Sequence, residues 1–449
     1  MSPARALVVG LGVAGEAGAR RLAERGWSVT VVEDRPGEAS RARAGALAAS
    51  GVTTLETPSP ATLAALVDQV DLVVPSPGVP AAHPAIAAAL AAGVDVWSEF
   101  ELAARWSSVP LVAITGTNGK TTVTTLVERM LTATGLRTVA AGNNDLPLVD
   151  AIAGEADLDV VVVEASSFRL EFTRTFRPRV SSWLNHAEDH LDWHGTMERY
   201  TAAKARIWAC QGPDDVAVAN AEDPVVMKAA GEVRARLVTF GLEHGDWRVA
   251  DGRLLMPDGQ ALLAVDDLWR RLPHDLGNAL AAAAVACAAG ADLEAVRQTL
   301  RAFRGLPHRV CLVAEHDGVR FYDDSKATDP HAAAAAVAGF PSVVLIAGGR
   351  NKGLDLSALA GAGDRVRAVV AMGEAAEEVE AAFAGAAGAG AVPVARASTM
   401  DEAVAAARAA ATPGDVVLLS PGCASYDWYS SYAERGDDFA RAVADSIGA

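Results

Sequence analysis

The 449 residues are 51% hydrophobic and 21% charged, which suits a globular chain of roughly two to four domains and excludes a disordered one. Lys and Arg number 39 against 56 Asp and Glu, a net charge of −17, which argues against a general binder of nucleic acid or membrane surfaces. The four cysteines, Cys210, Cys287, Cys311 and Cys423, have neither disulfide-framework nor metal spacing and fit buried thiols in a reducing cytoplasm. No signal-peptide pattern opens the chain, and its Ala-rich runs are broken by Gly, Pro or charge, so a cytoplasmic protein without membrane insertion is expected.

Apolar runs that read as strands alternate with amphipathic helical stretches, which predicts α/β architecture with mostly parallel sheets. The first run, residues 6–9, leads into Gly10-Leu11-Gly12-Val13-Ala14-Gly15, and residues 28–32 lead into Glu33. This resembles a dinucleotide fingerprint, and alone it supports an NAD-type oxidoreductase. Related sheets hold other nucleotides or diphosphates in the same way. Residues 72–74 form the next run, and Arg105-Trp106-Ser107-Ser108-Val109-Pro110 reads as a boundary.

Residues 111–115 then enter Thr115-Gly116-Thr117-Asn118-Gly119-Lys120-Thr121, with a helix predicted over 122–134. Glycines let backbone N–H groups converge on a phosphate, and the helix start adds partial positive charge. Lys120 can reach terminal phosphates and the Thr121 hydroxyl can ligate magnesium. Ile114 stands where a strict Walker motif has its first glycine. Residues 160–163 end in Glu164, a carboxylate at the ligand-binding edge of a parallel sheet and a candidate magnesium ligand.

Asn185-His186-Ala187-Glu188-Asp189-His190-Leu191-Asp192-Trp193-His194 gathers three histidines and three acids, either a metal site or a charged loop; closed-zinc spacing is absent. Lys204 follows on a helix whose start is marked by Gly195-Thr196. After the run 216–219, residues 233–269 read as a small β insertion with a hairpin turn at Pro257-Asp258-Gly259. Arg304-Gly305-Leu306-Pro307-His308-Arg309 reads as a second boundary. Three domains are therefore expected, at 1–108, 109–305 and 306–449.

In the last of these, three loops follow apolar runs: Asp323-Asp324-Ser325-Lys326-Ala327-Thr328-Asp329-Pro330 after 319–322, Gly348-Gly349-Arg350-Asn351-Lys352-Gly353 after 343–347, and Ser420-Pro421-Gly422-Cys423-Ala424-Ser425-Tyr426-Asp427 after 416–420. Carboxyl ends of strands in one sheet form a crevice, and these lysines and hydroxyls suit a carboxylate or phosphate. A further strand is expected at 368–372. Residues 384–390 read as a helix end and loop.

With these motifs in view, the chain resembles the Mur ligase family over nearly its whole length. The resemblance rests on Gly116–Thr121, Glu164-Ala165-Ser166-Ser167-Phe168, Glu188-Asp189-His190-Leu191-Asp192, Tyr200–Lys204, Leu306-Pro307-His308-Arg309, Asp324-Ser325-Lys326-Ala327-Thr328 and Ser420–Ser425. The last two point to the glutamate-adding branch. The Asp-Asn-Pro-Arg motif of diaminopimelate-adding relatives is absent. Thr121 stands where folate-polyglutamylating relatives usually have glycine.

The resemblance implies a cytoplasmic ATP-dependent ligase of peptidoglycan precursor synthesis, a monomer of three α/β domains. The first and last would be Rossmann-like and the central one a P-loop-type ATPase. They would hold, in order, UDP-N-acetylmuramoyl-L-alanine, ATP with two magnesium ions, and D-glutamate. By motif, Gly116, Thr117, Asn118, Gly119, Lys120, Thr121, Thr122, Asn278, Arg309 and Asp324 would hold ATP. Glu164 would ligate the first magnesium, with Thr121 beside it; His190 and a carbamylated Lys204 would ligate the second. Val13, Ala14, Arg35, Ser76, Gly78 and Asn143 would lie near the uridine diphosphate part. Lys326, Thr328, Lys352, Ser425 and the backbone at Tyr432 would surround glutamate.

Five departures from the family pattern bear on contacts: Ala14 for a usual Thr, the Glu33-Asp34 turn, Asp275 for Asn, Asn144-Asp145 for Ile-Gly, and Asp329 for Asn. Asp275 and Asp329 must face away from anions or be compensated. Three other readings stay open: a nicotinamide enzyme, which leaves the phosphate loop and Glu164 unexplained; a related ligase adding L-glutamate or another amino acid; and a non-catalytic ATP-binding protein.

Overall fold

A computed structural model describes residues 3–143, 146–154, 157–361, 363–384 and 392–448. Asn144, Asp145 and the 385–390 part of the Ala/Gly-rich stretch lie outside the described residues. The chain divides into two compact units. One comprises residues 1–186, 193–267 and 277–302, and the other residues 187–192, 268–276 and 303–449.

The first unit carries two parallel sheets. One has the order Thr53–Glu56, Ser28–Glu33, Arg5–Val9, Leu72–Pro75, Asp95–Val96. The strand order reverses beside Arg5–Val9, so the Gly10 turn and the Ser76 turn flank a switch-point crevice. The other sheet runs Arg236–Phe240, Val216–Asn220, Val180–Trp183, Leu111–Thr115, Val160–Glu164, Thr138–Gly142. Its central strands are buried along their whole length, as β-branched runs covered by helices on both faces must be.

Arg236–Phe240 departs from expectation. It belongs to this parallel sheet, paired with Val216–Asn220, and only the strands Arg248–Ala250, Arg253–Leu255 and Ala261–Ala264 form a separate antiparallel sheet. The crossover that makes the parallel pairing possible is the short helix Pro224–Ala230, capped by Asp223. The hairpin turn at 257–259 is where expected, between the last two small strands.

In the second unit, Cys311–His316 pairs antiparallel with Val319–Asp323, and the sheet continues in parallel through Val416–Leu419, Val343–Gly348, Val366–Met372 and Val394–Ala397. The strands ending at Asp323, Leu419 and Gly348 are therefore neighbours, and their three following loops share one edge. Among the described residues, no helix is long and apolar enough to cross a membrane.

Candidate active site

The phosphate loop leaves the buried strand Leu111–Thr115 and turns into the helix Lys120–Ala133. The helix starts two residues before the predicted position, because Gly119 at φ 86° serves as its cap. A Cβ at Gly119 would lie 2.4 Å from Asn278 Oδ1, so glycine is required both by conformation and by the approach of Asn278. Asn278 therefore lies against the loop. Asn185 clamps the loop from the next strand. Its Oδ1 accepts from Asn118 N at 2.8 Å, its Nδ2 donates to Asn118 O at 3.1 Å, and its carbonyl accepts from Thr117 N at 3.1 Å.

Two lysines meet at Gly116. Lys120 Nζ curls over its own loop and donates to Gly116 O at 2.9 Å and Thr117 O at 2.8 Å. Lys204 Nζ donates to the same Gly116 O at 2.8 Å and sits 4.6 Å from the Tyr200 ring centroid. The Tyr200 hydroxyl lies 3.2 Å from Thr117 Oγ1. Both side chains rise from one face of the helix Met197–Ala209, whose Thr196 cap accepts from Arg199 N. Lys204 is 1% exposed, which is rare for an ammonium and sets it apart from a surface lysine.

Glu164 ends the strand beside Leu111–Thr115, in register with Ile114. It is buried, and its Oε1 accepts from Asn143 Nδ2 at 3.1 Å. Asn143 follows the strand Thr138–Gly142, so it sits on the central sheet with Glu164 and not on the first sheet with Ser76. A carboxylate and the Thr121 hydroxyl are hard oxygen donors. Among the described residues no cluster of three or more His, Cys, Asp or Glu could cage an ion. That donor set fits magnesium, which is held by one or two carboxylates together with substrate phosphates.

The histidine-rich segment does not gather into one metal site. His194, fully buried, stacks on Phe168 and bonds Ser167 Oγ at 2.9 Å, so it is core. His186 Nε2 meets Thr201 Oγ1 at 2.9 Å, and burial, with the charge of Lys204, pulls its pKa down to about 4. His190 belongs to the second unit, with Nε2 3.1 Å from Asp189 Oδ2 and a φ of 57°. Asp189 Oδ1 also lies 3.7 Å from Lys352 Nζ.

On the first sheet, a Cβ at Gly15 would meet Gly10 O at 2.1 Å, which explains the close-packed fingerprint. Glu33 turns its carboxylate onto backbone, accepting from Leu11 N at 2.7 Å and Arg35 N at 2.9 Å. Ser76 and Gly78 lie in the facing turn, where Val79 N donates to Ser76 O, and a Cβ at Gly12 would come within 3.3 Å of Ser76 Oγ. Val13 and Arg35 are exposed beside this crevice, while Ala14 is buried.

In the second unit the three loops interlock. Gly348 N donates to Pro421 O, Arg350 and Ala424 exchange backbone bonds, and Gly422 N donates to Ala327 O. The Lys326 ammonium lies 3.5 Å above the Tyr432 ring. Lys352 and Thr328 are half-buried and Ser425 is buried. Asp275 is compensated, as its charge requires: Arg270 grips it with two bonds of 2.8 and 2.9 Å. Asp329 caps the helix Pro330–Val337 through Ala332 N.

Asp324 is buried and accepts from Ser420 Oγ at 2.8 Å and Val310 N at 3.2 Å. Burial pushes its pKa up to about 7 against the opposing bonds and the charges of Arg309 and Arg270. A carboxyl raised in the fold favours the protonated form. Its contribution is full below the unfolded value and is lost as pH climbs through about 7. Asp324→Asn is expected to reduce the fall in Tm between about pH 5 and about pH 8; scanning calorimetry that finds the same fall in both proteins refutes this.

Residues 4–98 match the Mur ligase MurD-like N-terminal domain, 114–286 the Mur ligase middle domain, and 308–423 the Mur ligase glutamate ligase domain. The chain belongs to the Mur ligase family. A relative from Frankia casuarinae named UDP-N-acetylmuramoylalanine–D-glutamate ligase is 47% identical over 446 residues, covering 97% of this chain and 93% of its own. One of the same name from Thermobifida fusca is 43% identical over 461 residues, covering 98% of each. The crystal structure of MurF from Acinetobacter baumannii shares the fold at a TM-score of 0.60 and 18% identity, over 100% of this chain and 92% of its own.

In this Mur ligase, sequence reading passed over three residues that organise the site. Asn185 opens the histidine-rich segment, and Arg169 only adjoins the Glu164–Phe168 motif. Arg435, 1% exposed, donates to Ser325 Oγ at 2.9 Å, Ser325 O at 2.8 Å and Cys423 O at 3.1 Å, tying two of the three loops to the helix Tyr432–Ile447. Its only sequence signal is an arginine on the apolar face of an amphipathic helix.

Proposed function

We propose that this protein joins D-glutamate to UDP-N-acetylmuramoyl-L-alanine at the expense of ATP, in peptidoglycan precursor synthesis. The observation that carries the reading is the phosphate loop with Glu164 on the adjacent strand and a fully buried Lys204 against its Gly116 carbonyl. The identity of the two substrates is supported by the name borne by the relatives aligned along the whole chain.

A carboxylate is a poor acylating agent because oxide would have to leave. The alanine carboxylate attacks the γ-phosphorus of ATP, giving an acyl phosphate and ADP. The uncharged glutamate amine then attacks the acyl carbon, and phosphate departs as the amide forms and the amine proton is lost. Lys120 leaves its loop carbonyls to meet the phosphates, and the backbone of 116–121 cradles them. Glu164 with Thr121, and His190 with Lys204, would hold magnesium, whose charge would offset that of the two approaching anions.

Lys204 serves that role as a carbamate. Its ammonium gives up a proton, and the neutral amine adds to carbon dioxide with loss of a second, which exchanges a cation for a carboxylate. The remaining N–H keeps the Gly116 carbonyl satisfied. Lys326 and Lys352, with Thr328, Ser425 and the Tyr432 backbone, hold the glutamate carboxylates. The turns at Val13, Arg35, Ser76 and Gly78 hold the uridine diphosphate part.

Phosphate release with UDP-N-acetylmuramoyl-L-alanine and ATP tests this, comparing D-glutamate, L-glutamate and D-aspartate. Release with D-glutamate alone is expected. Preference for L-glutamate would reassign the acceptor, and no release with any amino acid would favour a non-catalytic ATP-binding protein.

A further inference from the structure

Among the described residues, the buried arginines are Arg169 and Arg435. Arg169 sits in the five-residue helix Ser167–Glu171, 7% exposed, and a guanidinium there requires anions and acceptors around it. Its Nε lies 3.0 Å from Glu99 Oε1, itself buried on the helix Glu99–Trp106. Its Nη1 donates to Asn143 Oδ1 at 3.1 Å. Asn143 Nδ2 in turn donates to Glu164 Oε1 at 3.1 Å. Glu99 is held as well, its Oε2 accepting from Val149 N at 3.2 Å.

The chemistry of these groups sets the direction of the chain. A guanidinium has donors only, so the Asn143 amide must turn its oxygen to Arg169. Its NH2 then has to face Glu164 and occupy Oε1. With Arg169 replaced by a group that cannot donate, the amide is free to rotate, and the Glu164 carboxylate loses its fixed partner. Arg169 also brings a buried positive charge near a second carboxylate besides Glu99, that of Glu164.

The geometry points to Arg169 as a positioning residue that, through Asn143, fixes which oxygen of Glu164 is presented to magnesium. The inference rests on the reading of Glu164 as a magnesium ligand. It extends the site inward by two residues, to the helix Glu99–Trp106. Residues that orient a metal ligand in this way act on affinity and on turnover, without touching the ion.

The test is Mn2+ binding, followed by electron paramagnetic resonance with a non-hydrolysable ATP analogue, beside steady-state kinetics. Arg169→Met is expected to weaken Mn2+ binding about tenfold or more. It should lower kcat and raise the Mg2+ requirement while leaving the glutamate KM within about twofold, because the glutamate groups belong to the other unit. Arg169→Lys, still a donor-only cation, should recover much of the loss.

Since Arg169→Met strands a buried carboxylate, the double variant Glu99→Gln/Arg169→Met removes that charge. It should keep a Tm near the wild type and still bind Mn2+ weakly. Glu164→Gln separates the two readings. If it retains wild-type Mn2+ affinity, the metal assignment itself falls. If it loses Mn2+ while both Arg169→Met proteins keep it, the positioning role alone is overturned.

Discussion

Lys204→Ala is expected to abolish turnover, with a loss of about a thousandfold or more, on the order of 4 kcal/mol of transition-state stabilisation. The reason is the burial of the side chain. An unmodified ammonium at 1% exposure, sharing the Gly116 carbonyl with Lys120, places two cations on one acceptor. The proposed carbamylation would convert one of them to an anion that a second divalent ion would neutralise. Alanine removes the carboxylate together with the stem. The cavity it leaves opens toward the loop, so formate or acetate added at millimolar levels should restore part of the rate. Full activity of the variant in ATP-dependent phosphate release would exclude a carbamylated ligand, and loss without any rescue would point to a packing role for the lysine stem.

The second large effect concerns the acceptor. Lys326→Ala should raise the glutamate KM by roughly 30- to 150-fold, about 2–3 kcal/mol, with the ATP KM nearly unchanged. The ammonium is already in place before glutamate arrives. It lies 3.5 Å above the Tyr432 ring, and its backbone N–H donates to the His308 carbonyl at 3.1 Å. The aromatic face attracts the cation without neutralising it, so the charge remains available to a carboxylate. Initial-rate measurements varying each substrate in turn settle the matter; equal changes in both KM values would remove Lys326 from the glutamate site.

Much of this was legible in the chain before any coordinates. Buried parallel strands such as Val160–Glu164 and Val343–Gly348 announce themselves as β-branched runs, and a loop that must approach phosphate needs the glycines at 116 and 119. What could not be read were strands with little apolar signal. Thr138–Gly142 is a half-buried edge strand of small residues, and Val180–Trp183 alternates with serines that are nonetheless buried. Arg236–Phe240 was drawn into the β insertion because its crossover helix has only seven residues. The histidines of 186–194 look equivalent in a sequence. Packing separates them, sending His194 against Phe168 and His186 against Thr201. The Arg169–Asn143–Glu164 chain was hidden for a different reason: its members lie 26 and 21 residues apart, and only the strand order brings them together.

Glu101 carries a consequence of another kind. Wholly buried on the helix Glu99–Trp106, it accepts from Arg174 N at 2.7 Å, Thr175 N at 2.8 Å, Thr175 Oγ1 at 2.8 Å and Arg105 Nε at 2.7 Å. Asp150 takes Arg20 and Arg21 from the helix Val13–Glu24 at 2.8 Å each. A buried carboxylate stripped of such donors is costly, so the segment 174–175 cannot peel from this helix without exposing or stranding the charge. The first and central sheets, separate in sequence, therefore melt as one cooperative block. A truncation placed between them, after residue 106, would leave Glu101 without its donors from 174–175 and the central sheet without its cover, so neither half is a sound fragment for expression on its own.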